Sequence, residues 1–357
     1  MKKLVFISPV LLLLTAVPNV QAEDQSLTLA VTMTNDPTSN QVKVYDATSG
    51  TLLQTLSAKG KGGVAGNARG VKQYNGKIFA AVNNGSDTVA LFQHFGNQLV
   101  FDKLISTTSA PVSVDFANGH MYVAGATSVD SFIILGDDVA WRDGTTGLVP
   151  VGGGTPPSGS TAQVGAVDDK TLLVTLKTDP IPGTVDVVAL RDGAVASALP
   201  TAVSAPAGTL TPFGFAVYPD GTAVITLAHS DQDGLFRSGA FKTVVSARQT
   251  ADCWATRVGK YIFTANTGSL TISRLVGTGN NIFVDNPVAA NIATGGAPSD
   301  IDATGGTLGV IDHGSGASHL SLFTYNQFGE LAPSGTPINV GVPNASGVAI
   351  IPPADED

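Results

Sequence analysis

The sequence predicts an all-β protein: one propeller of seven four-stranded antiparallel blades, its ring closed by a C-terminal strand that joins the N-terminal blade. Three observations lead there. Short apolar runs of four to seven residues alternate with clusters of Gly, Asn, Asp, Ser and Pro, and no helical period is sustained. Gly (41) and Pro (20) are plentiful while charged residues make up only 13%, which suits tight turns and buried sheet faces. A unit of about 40 residues also recurs along residues 23–357, the spacing of four-stranded blades.

The clearest unit spans 69–106. Its strands are 70–74, 77–82, 88–93 and 98–105, with Asn75-Gly76 as the first turn, 83–87 as a loop and Phe95-Gly96-Asn97 as the last turn. Asn-Gly marks a two-residue hairpin because both central residues of such a turn need positive φ. The same rhythm runs through 112–116, Asn118-Gly119, 120–124 and 131–135, and again through 163–167, Asp168-Asp169, 171–176 and 185–190. A fourth copy has 213–218, Pro219-Asp220-Gly221 and 222–228, and loses regularity after Asp231. The fifth has 252–257, Gly259-Lys260, 261–266 and 270–275; the sixth has 299–302, Gly305-Gly306, 307–312 and 319–324.

Two fragments remain. Residues 27–33, 41–45 and 51–56 supply a second, third and fourth strand without a first. Residues 346–351 supply only a first, and Ser346-Gly347-Val348-Ala349 reads like Arg69-Gly70-Val71-Lys72. Together they make a seventh blade that leaves no open sheet edge. The Gly-, Pro- and Ser-rich stretch 152–160 is then a long connection and not a domain boundary.

Lys2 and Lys3, the apolar run 4–17 and the small-x-small site Val20-Gln21-Ala22 form an export signal, so 1–22 is expected to be removed and the mature chain to begin near Glu23 in the periplasm or outside the cell. No stretch reaches the roughly 20 apolar residues of a membrane helix. A net charge of -9 with scattered Lys and Arg argues against nucleic acid and anionic membranes as partners, and the chain is expected to be a monomer. The single cysteine, Cys253, excludes an intramolecular disulfide and is read as a buried, inert thiol.

Propeller ligands gather on one face, called upper here, where loops entering the first strands meet those between second and third strands. Those loops carry Asn67, Arg69, Asn83, Asn84, Lys177, Asp179, His229, Asp231, Asp252, Trp254, Asp300, Asp312 and His313. Arg69 can hold a carboxylate, with Asn67, Asn84, Asp252 and Trp254 as further binding residues. His229 or His313 can act as a general base, and Asp312 beside His313 can orient it, although adjacent strand residues point to opposite faces. The competing reading is ordinary turn chemistry, since Asn and Asp favour turns for conformational reasons. His94, His120 and His319 are read as structural. Asp231-Gln232-Asp233-Gly234 starts like a calcium loop but lacks its closing Glu, so a surface calcium ion is the weaker reading there. There is no phosphate loop, zinc spacing or nucleophile elbow, and no cofactor or resident metal is expected.

Pro212, Pro219-Asp220-Gly221, and Asn83 with Thr88-Val89 resemble the blade signature of the lactonase-type seven-bladed propellers, which include 6-phosphogluconolactonases, carboxymuconate-lactonising enzymes and the related YVTN-type surface propellers. The resemblance implies an upper-face site in which Arg and His beside the blade-start Pro meet the substrate. Here Phe213 and Gly214 occupy those positions, and in an earlier blade Arg69 keeps the Arg while Gly70 replaces the His. Two functions follow. One is a binding or interaction scaffold of the cell envelope, with a small molecule or an envelope protein on the upper face; the other is a lactonase or lactonising isomerase acting on an acidic small molecule.

Overall fold

The computed structural model describes residues 1–3, 26–178, 182–314 and 316–353; the expected export signal, 1–22, falls largely outside them. The chain forms seven sheets, one per blade, with no α-helix among the described residues. Blade 1 is Leu29–Met33, Gln41–Asp46 and Leu52–Ser57, with Ser346–Ile351 paired antiparallel to Leu29–Met33. Blade 2 begins at Val71–Tyr74, blade 3 at Pro111–Ala117, blade 4 at Thr161–Ala166, blade 5 at Pro212–Val217, blade 6 at Asp252–Val258 and blade 7 at Ala297–Thr304. These first strands are innermost, and with Ser346–Ile351 they touch one another in an unbroken circle.

Local sequence explains the hairpins. Asn75 and Gly76 take φ 51° and 69°, and Asn118 and Gly119 take 53° and 69°, the conformation their type of turn demands. Blade 5 is more regular than the sequence suggested. After Asp231 it continues as Gln232–Arg237 and Ala240–Val245, joined by Ser238 and Gly239 at φ 51° and 73°, a turn whose first residue is a serine where positive φ usually selects Asn, Asp or Gly. Blade 4 departs the other way: its outer strand is split into Ala194–Val195 and Thr201–Ser204.

Innermost strands have one edge facing the channel, where backbone N–H groups lack ladder partners. Side chains from the preceding blade satisfy them. Asp115 accepts from Ala166 N at 3.2 Å, Gln163 from Phe215 N at 2.8 Å, Ser113 from Val164 N at 3.1 Å and Asp302 from Ile350 N at 3.0 Å. Between blades the packing is apolar: Leu173 and Val185 of blade 4 meet Phe215 and Ile225 of blade 5, and Val224 and Leu235 of blade 5 meet Ile262 and Leu275 of blade 6.

The closing strand is buried along its length, with Val348, Ala349, Ile350 and Ile351 no more than 2% exposed. Thr32 Oγ1 donates to Gly347 O at 2.6 Å. Gly347, at φ 74°, cannot be replaced: a Cβ there would lie 2.9 Å from Val71 N. Each large apolar side chain withdrawn from this strand loses about 1.5–3 kcal/mol of burial. Deleting residues 346–357 is therefore expected to give an aggregating or unfolded protein in size-exclusion chromatography, and a truncated monomer with unchanged melting would contradict ring closure.

Candidate functional site at the mouth of the channel

Residues 58–70 connect blade 1 to blade 2, and they cross the upper mouth of the channel instead of following its rim. Lys61 N donates to Ser86 Oγ of blade 2 at 2.8 Å, and Asn35 of blade 1 exchanges hydrogen bonds with Gly63 and Val64. Asn67 Nδ2 donates to Val112 O of blade 3 at 2.7 Å, and Ala68 N to Ala162 O of blade 4 at 3.1 Å. Trp254 Nε1 of blade 6 donates to Asn67 O at 2.8 Å, and Ser346 Oγ of the closing strand to Asn67 Oδ1 at 3.1 Å. Arg69 N donates to Asp300 Oδ2 of blade 7 at 2.9 Å. Ala68 packs with Phe213 of blade 5 and Trp254, so the segment reaches all seven blades. Asn67 is 3% exposed, Trp254 6% and Phe213 6%, so the mouth is filled by the chain itself.

The path depends on residues that accept unusual backbone. A Cβ at Gly62 would sit 2.4 Å from the Asn35 carbonyl carbon, so no other residue fits. Arg69 is a non-glycine residue at φ 56°, a conformation that costs roughly 1–2 kcal/mol. It is held by the Asp300 bond and by Val114 N, which donates to Arg69 O at 3.0 Å.

Arg69 points down the channel. Its Nη1 lies 3.3 Å from Asp115 Oδ1, and the guanidinium stacks over Phe215 with 5.9 Å to the ring centre. Lys72 pairs similarly with Asp302 at 3.0 Å. The sequence reading missed Asp115, Lys72 and Asp302. Asp115 carried a signal, a charged residue in an otherwise apolar or small first strand, whereas Lys72 lies beside Gln73 and Asp302 near Asp300.

The other candidates disperse. His229 is exposed on the short turn Ala228–Ser230. His313 is exposed at the end of its strand, with Nε2 2.8 Å from Ala345 O. Asp312 does not serve His313: it is fully buried, accepts from the Thr294 hydroxyl and from His319 N at 2.9 Å, and faces the opposite side of the strand. Asn84 spends its amide on Pro111 O at 3.0 Å. Asp252, expected among the binding residues, is 2% exposed and turned into the interior, because its register partner Asn266 puts it on the face toward blade 5. Asn83 is also interior, bonding Ala58 O at 2.8 Å, while Asp231 accepts from Ala251 N at 2.7 Å. Asp179 lies outside the described residues.

Lys177 of blade 4 reaches the crossing segment. Its Nζ lies 3.4 Å from Ala65 O and over the Phe213 ring at 5.6 Å, and burial holds its pKa below the usual lysine value. Burial pushes the Cys253 thiol up to about 12, so it is protonated and unreactive at neutral pH. Among the described residues no group of three or more His, Cys, Asp or Glu is placed to hold a metal. Clefts of about 600 and 460 Å³ open elsewhere, on the side of blade 3 beside Arg142 and Arg191 and on the lower face beside His94 and Pro352.

Neither a protein-family model nor a curated protein matches the sequence. Solved structures do. A putative 6-phosphogluconolactonase from Bacteroides uniformis is 16% identical, with TM-score 0.65 over 91% of this chain and 99% of that one. The periplasmic gluconolactonase of Pseudomonas aeruginosa is 15% identical, with TM-score 0.61 over 92% and 100%. Virginiamycin B lyase of Staphylococcus aureus is 14% identical, with TM-score 0.56 over 82% and 93%. The chain has the fold of the lactonase-type propellers. On that fold, in this chain, the upper mouth is occupied by residues 58–70 and not left open.

Two outcomes test this description. Trp254→Phe removes one hydrogen bond to the crossing segment and is expected to cost about 1 kcal/mol in denaturant unfolding, while Asn67→Ala strands buried partners and is expected to cost about 1–3 kcal/mol. The second concerns pH. Burial pushes the Asp300 carboxyl up to about 7 against its two backbone N–H donors, and the Asp186 carboxyl up to about 7 against Val149 N–H. Between the ordinary value of 3.8 and about 7 the folded chain therefore holds protons that the unfolded chain releases, so stability present in acid is lost as pH rises through that window. Melting in cation-free buffer is expected to occur at a lower temperature near pH 8 than near pH 5; the reverse order would show these carboxyls ionised in the fold.

Proposed function

We propose that the protein is an exported propeller that works as a rigid binding scaffold, offering its upper-face loops to a partner. The filled mouth is the observation that carries this reading. Asn67, Trp254 and Arg69, the polar and aromatic groups that a ligand at the mouth would use, already bond to the chain itself or to the channel wall. A general base would also have to come from His229 or His313, which stand on separate blades, and Asp312 is committed elsewhere. The leading segment 1–22 supports export to the periplasm or beyond.

The lactonase reading is favoured by one observation, the fold shared with gluconolactonases at 15–16% identity. Fold alone does not carry chemistry across such distances. Purified mature protein offered gluconolactone and related acidic lactones is expected to leave the buffer hydrolysis rate unchanged. Saturable hydrolysis that disappears in Arg69→Ala without loss of folding would establish the enzyme and overturn the scaffold. Arg69→Ala itself is expected to cost about 1–3 kcal/mol of stability, because it leaves the Asp115 carboxylate partly buried without its cation.

A further inference from the structure

Blade 5 and blade 6 face each other through an apolar layer, Val224 and Leu235 against Ile262 and Leu275. At the upper end of that layer the chemistry changes. Counting from the turn between second and third strands, Asp233 occupies the position held by Val89, Val129, Val185 and Ile272 in blades 2, 3, 4 and 6. Asp252 begins its first strand where Pro111 and Pro212 begin theirs. The position of Asp233 is thus apolar in these sister blades, that of Asp252 is Thr161 in blade 4 and Ser346 in the closing strand, and the two carboxyls lie within hydrogen-bonding reach of each other across the blade contact.

Neither is solvated: Asp233 is 0% exposed and Asp252 2%. Apart from each other and the Thr264 hydroxyl, both oxygens of Asp233 and Oδ1 of Asp252 have no hydrogen-bond partner. The same is true of two neutral oxygens on the blade 6 face. Asn266 is the register partner of Asp252, and its Nδ2 is spent on Thr271 and Ser273, which leaves Oδ1 without a partner. Thr264, two residues along the same strand and on the same face, places its Oγ1 within hydrogen-bonding reach of Asp252 and has no other partner. Both residues are 0% exposed. Unsatisfied buried oxygens of this number cost several kcal/mol if nothing positive lies among them.

We propose that Asp233, Asp252, Asn266 and Thr264 form a buried site for one calcium-sized cation that joins blade 5 to blade 6. Two carboxylates, an amide oxygen and a hydroxyl provide up to six hard oxygens, the donor type and number that calcium takes, with no nitrogen or thiolate of the kind that selects zinc. Asp231, held by Ala251 N at 2.7 Å, adds negative potential beside the pair. The site is distinct from a calcium loop built on 231–234, since Asp233 points inward from a strand.

Full-length mature protein is treated with EDTA, desalted and titrated with CaCl2 at neutral pH, following melting temperature and bound calcium by elemental analysis. The expected result is one calcium per chain and a rise on the order of 5 °C at a hundredfold excess over Kd. In Asp233→Val, which restores the side chain of the sister blades and so protects folding, both effects are expected to vanish. Asp233→Asn serves as the second variant, with calcium affinity expected to fall at least tenfold. Absence of bound calcium and of any melting shift in the wild type overturns the proposal in favour of a proton shared by the two acids, and a calcium effect that survives both substitutions overturns the site.

Discussion

Everything in this molecule rests on the pairing of Ser346–Ile351 with Leu29–Met33, some three hundred residues apart in the chain. A propeller blade exposes apolar faces on both sides and can bury them only against two neighbours. A ring with a gap would leave two such faces and a strand edge in water. Borrowing the innermost strand of blade 1 from the C-terminus closes the circle with main-chain hydrogen bonds. It also places Ser346 at the mouth, where it meets Asn67.

The closed ring creates a second problem, an axial channel lined by strand edges. Two solutions appear. Along the wall, Asp115, Gln163, Ser113 and Asp302 reach to the next blade's N–H groups, and Arg69 and Lys72 balance the carboxylates. At the top, residues 58–70 exchange hydrogen bonds with blades 1, 2, 3, 4, 6 and 7, pack on Phe213 of blade 5, and exclude water from Trp254 and Phe213. In doing so the chain uses the position at which a small molecule would meet the same groups. The channel mouth is thereby a structural element of the protein.

Acidic residues are distributed by the same logic. Asp130 accepts from Thr108 N at 2.7 Å and from two threonine hydroxyls, and Asp300 from two backbone N–H groups, so these carboxyls organise backbone that crosses between blades. Asp233 and Asp252 have no backbone N–H donor of this kind, which sets them apart from the carboxyls that organise backbone.

The sequence by itself determined the blade count, the hairpins and the closure, because each depends on short-range signals that repeat: Asn75-Gly76 and Asn118-Gly119 set turn geometry locally, and the incomplete ends could be matched by counting. It also placed Asn67, Arg69 and Trp254 on the upper face. Only the tertiary structure decided that those three build a closure and not an open pocket, since the path of residues 58–70 is fixed by partners such as Val112, Trp254 and Asp300 that lie up to 231 residues away. Likewise Asp252 and Asp312 looked like loop carboxylates, and strand register turned both inward. Register flips a side chain between wet and dry faces with each residue, so the identity of an Asp says nothing about its burial until the neighbouring blade is in place.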